Sequence, residues 1–230
     1  MTDRMAPDTD APASLMAHLK ESTAEAHRRA EAVPFNVAVM GQTITQPAYV
    51  AQLHAYQVLY QTLHHRAANH RHGLLQATWR PSEESARLQR DIDHLDPRQR
   101  HRAPRAMREA TRLAEEITAM ALSQGPHLFG ALYVLKGAGL GGLVMTRHLQ
   151  QALGLQDEGL HFYGAQPRQR SLRWKQMVQR ANAYDLAPDQ RPPIVASARV
   201  VFDGVGHILQ AIGDYHGLHE ASAIPRRVEM

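Results

Sequence analysis

Cysteine is absent from the 230 residues. That one absence excludes disulfides, thiolate metal sites, iron–sulfur clusters and a cysteine nucleophile. Aromatic residues make up only 6%, too few for the alternating strands of a β-sandwich. No apolar run approaches the ~20 residues that cross a bilayer, so no transmembrane helix is expected. The first thirteen residues are acidic and carry proline, without the apolar stretch of a secretory signal. A cytoplasmic protein is therefore the expectation.

What is present suits a folded helical chain. Hydrophobic residues at 43% and charged residues at 21% separate it from disordered sequences. Ala, Leu, Gln, Arg and His dominate, which favours helices. Lys+Arg 26 against Asp+Glu 22 leaves a formal charge of +4, mostly from arginines such as those between Arg98 and Arg105. No nucleic-acid motif accompanies them, so the excess suits an anionic small ligand or an acidic protein partner. The 15 histidines include His64-His65 and His70-Arg71-His72. They sit among Arg and Gln and read as solvated surface, because a metal site needs convergent ligands.

Prolines, glycines and caps divide the chain into about seven helices. Ser14 caps a first helix to Ala32, stopped by Pro34. Thr45-Gln46-Pro47 opens a second, to His72, where Gly73 can end it. A third runs from Pro81 to Pro97 and a fourth from Pro104 to Ser123. The fifth, His127 to Leu153, precedes a loop from Gly154 to Pro167. A sixth covers Arg168 to Tyr184 and a seventh Pro193 to Gly217. Short connections and no linker imply one all-α domain over 14–220. A disordered segment 1–13 and a flexible tail 221–230 flank it.

The fifth segment is apolar nearly all round, as a buried helix is. Yet it carries Gly130, Gly137, Gly139, Gly141 and Gly142, each costing about 1 kcal/mol relative to Ala. Close helix packing would offset that loss. So would a backbone that approaches a large flat ligand or bends.

Two segments carry a resemblance. Leu19-Lys20-Glu21-Ser22-Thr23, followed by His27 and Glu31, meets every specified position of the Leu-Lys/Arg-Glu-x-Thr-x-x-x-His-x-x-x-Glu pattern. It resembles the first helix of heme oxygenases, which supplies the proximal histidine. Leu132 to Gly142 resembles that family's glycine-rich distal helix, in the bacterial form that accompanies bacteriophytochromes. Phe162-Tyr163-Gly164, Trp174-Lys175 and Val201-Phe202 fit more loosely. The resemblance implies a single-domain helical bundle in which heme is both cofactor and substrate. Dioxygen and an external donor, ferredoxin-like or an NAD(P)H reductase, would open the ring to biliverdin, carbon monoxide and ferrous iron. A bacteriophytochrome is the implied recipient of the biliverdin.

Residue by residue, the resemblance makes His27 the proximal iron ligand and Glu31 the acceptor that orients it. The pair is four apart, on one helix face. Gly137, Ala138 and Gly141 would form the distal catalytic stretch, with Gly137 and Gly141 on one face of one helix. Tyr133, Gly142 and Phe202 would line the heme. Lys20, Lys175, Arg173 and Arg180 would meet its propionates or an acidic donor.

The sequence also departs from the pattern. Ala138 stands where mammalian-type members carry an aspartate that holds distal water. Lys136 and Ala138 replace the Glu and Ser/Thr of the bacteriophytochrome-linked form. Lys136 either points away and pairs with an acidic neighbour or reaches the pocket if the helix bends. A non-catalytic heme-binding relative is thus the alternative function. Thiaminase-like chemistry lacks its cysteine. A di-iron centre lacks a second copy of the Glu158-x-x-His161 pair.

Overall fold

The computed structural model describes residues 14–164 and 167–218. The expected disordered segment 1–13 and tail 221–230 lie outside the described residues, as do the last two residues of the expected domain. Within them the secondary structure is helical throughout, in twelve α-helices and two 3-10 turns rather than seven helices.

The extra breaks have local causes. The first expected helix divides at Thr23 into α1 (Leu15–Ser22) and α2 (Ala24–Glu31). The Thr23 hydroxyl donates to the Leu19 carbonyl at 2.7 Å, a back-bond that bends helices. Pro34 does not merely stop a helix; it begins α3 (Pro34–Met40) from the first turn, where its missing N–H costs nothing. Thr45 caps α4 (Gln46–Ala68) by accepting from the Ala48 N–H. Gly73, expected as a terminator, starts α5 (Gly73–Thr78). Then come α6 (Glu84–Leu95) and α7 (Pro104–Leu122).

The glycine-rich segment is two helices. α8 (Leu128–Ala138) runs into a 3-10 turn at Gly139–Gly141 and then α9 (Gly142–Leu153). Phe162-Tyr163-Gly164, expected in a loop, forms the short α10 (His161–Gly164). α11 (Pro167–Ala183) follows, then a 3-10 turn at Pro188–Gln190 and α12 (Arg191–His216).

α4 is the central helix, buried along most of its length from Ala48 to Ala67 and flanked by α6 and α7. Several of its buried polar groups are satisfied internally, as burial favours. Tyr49 donates to the Gly159 carbonyl at 3.0 Å and Tyr60 to the Leu135 carbonyl at 2.6 Å. His54 Nε2 lies 2.9 Å from Asp96 Oδ2, and the same carboxylate accepts from the Arg100 and His101 N–H groups. Burial opposes ionisation of Asp96, but these hydrogen bonds outweigh it and hold the carboxyl below its usual value. Burial likewise pushes His54 down, so a neutral imidazole faces a carboxylate.

The solvated reading of the histidine tracts fails in part. His70 is buried. His64 is mostly covered and meets Ser82, Ser85 and Glu84. Local composition could not show that α5 and α6 fold back over the end of α4.

α12 packs on both α7 and α8. At the second crossing a β-carbon on Gly130 would lie 2.6 Å from the Ile194 carbonyl and the Ala198 nitrogen. Both neighbours are backbone and cannot rotate away. Gly130→Ala is expected to destabilise the fold by about 2–3 kcal/mol, read as a lower urea midpoint with unchanged slope.

Candidate functional site

His27 is the fourth of the eight residues of α2 and is 53% exposed on its side chain. Its Nδ1 is 3.2 Å from Glu31 Oε2, one turn later. Nε2 has no hydrogen-bond partner among the described residues. The imidazole stands edge-on to Phe202 of α12, ring centroids 5.3 Å apart. Phe202 in turn meets Tyr133 of α8, and Tyr133 meets Trp174 of α11. Burial raises the Tyr133 phenol above its usual value, partly opposed by a hydrogen bond with Thr23. Tyr133, Phe202, His27 and Glu31 are thus brought to one face from three helices.

The glycine stretch bends the chain. Its axis turns by 57° between Leu128–Gly141 and Val144–Leu153, so Gly137 and Gly141 do not share one continuous helix as expected. Gly137 packs on the Trp174 indole: a β-carbon there would lie 3.4 Å from Cη2. The Gly139 carbonyl accepts from Arg170 Nη1 at 2.9 Å. A β-carbon on Gly141 would meet nothing within 4 Å, so that glycine borders open space. Gly142 is the first residue of α9. Ala138 is exposed, and so are the apolar Leu140 and Val144. α3, which packs against α9, leaves Val37 and Met40 exposed as well.

Lys20 is exposed near the end of α1 and Lys175 is exposed on α11. The two helices are tied by the Met16 N–H donating to Asn182 Oδ1 at 3.1 Å. Neither lysine has an ion-pair partner among the described residues. Arg173 and Arg180 instead border a separate cleft between α5, α6, α8 and α11.

Lys136 also faces that cleft. Its ammonium pairs with Glu84 Oε1 at 2.9 Å and donates to the Ser82 hydroxyl. Burial raises the Glu84 carboxyl, but the His64 and Ser82 hydrogen bonds and the Lys136 charge hold it well below the usual range. Of the two readings for Lys136, pairing with an acidic neighbour is the one observed.

With this geometry the chain matches the heme oxygenase family model over residues 13–211. It belongs to the heme oxygenase family. Heme oxygenase-2 from Synechocystis sp. PCC 6803, solved with heme and NO, superposes with a TM-score of 0.80 at 18% identity, covering 91% of this chain and 88% of that one. Heme oxygenase-1 from the same cyanobacterium, solved with heme, gives 0.75 at 20% identity, over 91% and 96%. The Leptospira interrogans heme oxygenase gives 0.74 at 20% identity, over 86% and 99%. No curated protein matches the chain in sequence. Among the described residues no single helix is long and apolar enough to cross a membrane.

The motif residues of the expected first helix are divided between α1 and α2, and the cationic residues divide between two places. Sequence reasoning named Trp174 without its packing on Gly137, and missed Arg170, which donates to the Gly139 carbonyl, and Glu84, which takes up Lys136. Nothing in the order of residues joins Glu84 to Lys136.

Because Glu84 is depressed in the fold, its stabilisation is fully present above the unfolded glutamate value of about 4.3 and is lost as pH falls from there through its lower folded value. Lys136→Met is expected to cost about 3 kcal/mol at pH 7, and the loss should shrink as Glu84 protonates. Urea unfolding at pH 7 and pH 4 checks this.

Proposed function

We propose that the protein is a heme oxygenase that cleaves heme with dioxygen and electrons to biliverdin, carbon monoxide and ferrous iron. The observation that carries the reading is the state of His27: Nδ1 occupied by Glu31, Nε2 without a partner, on an exposed face. With Nδ1 turned to Glu31, the imidazole offers its Nε2 lone pair outward. A flat apolar ligand also suits the bend after α8, where Gly141 borders open space and Leu140 and Val144, with Val37 and Met40 on α3, are uncovered apolar side chains. Heme, when bound, supplies the iron that activates dioxygen and the ring that is opened.

The chain's own residues then divide the work. Glu31 accepts the Nδ1 proton and fixes the tautomer that leaves Nε2 free to ligate. Phe202 limits rotation of the imidazole. Gly141 and Gly142 leave the opposite face to backbone, whereas Gly137 carries the Trp174 indole. Lys20 and Lys175 meet the propionates with charge-assisted hydrogen bonds, and their surplus charge suits an acidic ferredoxin-like donor or an NAD(P)H reductase. Biliverdin released there would pass to a bacteriophytochrome.

Proton supply is the altered part. The Ala138 methyl cannot hold a water, and Lys136 is committed to Glu84. Backbone carbonyls of the 3-10 turn or other side chains would order the distal water, and one of those carbonyls already accepts from Arg170. That arrangement favours the second reading, a heme-binding relative without turnover.

Hemin followed by a reductant with oxygen separates the two. Bleaching of the Soret band into a bilin spectrum supports the oxygenase; heme binding without bilin installs the relative. His27→Ala should abolish the native ferric spectrum, with partial rescue by free imidazole. An unchanged spectrum would assign the ligand elsewhere. Lys20→Glu or Lys175→Glu should weaken heme binding by about 1–3 kcal/mol, measured by titration. Gly141→Leu finds room in the fold and should stop ring opening while heme still binds, checked by the same spectra.

A further inference from the structure

The cleft between α5, α6, α8 and α11 holds no residue of the His27 face. It is a partly open cavity of about 80 Å³. Leu132, Leu135, Lys136 and Gly139 turn towards it from the end of α8. Tyr133, one step round the helix, turns away to Phe202. No residue of α1, α2, α3 or α12 lines the cleft among those described.

Two properties of the lining stand out from ordinary surface. One is charge: six cationic side chains border the cleft, of which Lys136 is paired with Glu84, the lining's carboxylate, and Arg87 with Glu83 beside it. Arg80 and Arg170 are engaged only by backbone carbonyls, and Arg173 and Arg180 have no ion-pair partner among the described residues. The other is the wall. Trp79, Trp174, Phe162 and Tyr60 supply flat aromatic surface. The Trp79 indole N–H is buried with no acceptor, although buried donors are nearly always satisfied.

We propose that this cleft is a binding site for a small aromatic carboxylate, separate from the His27 face. The ring would stack on the tryptophans and the carboxylate would accept from Arg180, Arg173 and the Trp79 N–H. The proposal stands whether or not heme binds at His27. Its position gives it leverage, since Trp174 touches Gly137 and Arg170 holds the Gly139 carbonyl.

The protein's two tryptophans, Trp79 and Trp174, both line the cleft, so intrinsic fluorescence reports on it directly. Heme-free protein is titrated with benzoate and with benzyl alcohol, its uncharged counterpart, with excitation at the red edge of tryptophan absorption. Saturable binding of benzoate at least about tenfold tighter than benzyl alcohol is expected, the worth of a charge-assisted bond. Arg180→Gln should lose about that factor, Trp79→Phe should weaken binding several-fold, and His27→Ala should change nothing. Circular dichroism of each variant confirms that the fold is kept. Equal response to acid and alcohol, or no saturable response, overturns the proposal. So does one-to-one displacement of benzoate by hemin together with loss of hemin affinity in Arg180→Gln, which would make the cleft part of a heme site. Loss of heme binding in His27→Ala with benzoate binding intact separates this result from the fate of the oxygenase reading.

Discussion

The contact on which the rest of the structure depends is the backbone approach of α8 to α12 at Gly130. Only a residue without a β-carbon allows the Ile194 carbonyl and Ala198 nitrogen so close. Once that crossing is set, the positions of Tyr133 on α8 and Phe202 on α12 follow, because each lies about one or two turns beyond it. The two rings meet, and Phe202 presents its edge to His27. A packing constraint deep in the bundle thereby holds an imidazole that is itself more than half exposed.

α8 consequently has two working faces. One, through Tyr133, belongs with α2 and α12 and the proposed heme face. The other, through Lys136 and Gly139, belongs with α6 and α11 and the cationic cleft. Trp174 stands between them, touching Tyr133 and Gly137 while lining the cleft. The bend at Gly139–Gly141 separates the faces further, since the axis turns there before α9 begins. Glycine serves three different purposes within one segment: close crossing at Gly130, accommodation of an indole at Gly137, and open space at Gly141.

The exchange of polar residues near the bend is coherent in physical terms. A lysine at position 136 would be costly if buried alone. Glu84, His64 and Ser82 form a polar nest that receives it. The ammonium therefore ties α8 to α6 instead of serving the glycine stretch, and Ala138 leaves no side-chain acceptor in its place. Departure from the family pattern is thus a rewiring of which helices are joined, with any consequence for proton supply following from it.

Much of this was legible in the order of residues. Helical class, the caps at Ser14 and Thr45, and the His27–Glu31 pair depend on spacings of three or four residues along one helix, which sequence determines by itself. The breaks at Thr23, Pro34 and Gly73 were harder, because a proline or glycine signals a boundary without saying whether a new helix starts at once. Burial of His70, the pairing of Lys136 with Glu84 52 residues away, and the turning of Arg173 and Arg180 into a cleft apart from Lys175 were decided only by tertiary structure. Those outcomes depend on the rotation of one helix against another, set by the summed packing of the bundle rather than by any local run of side chains.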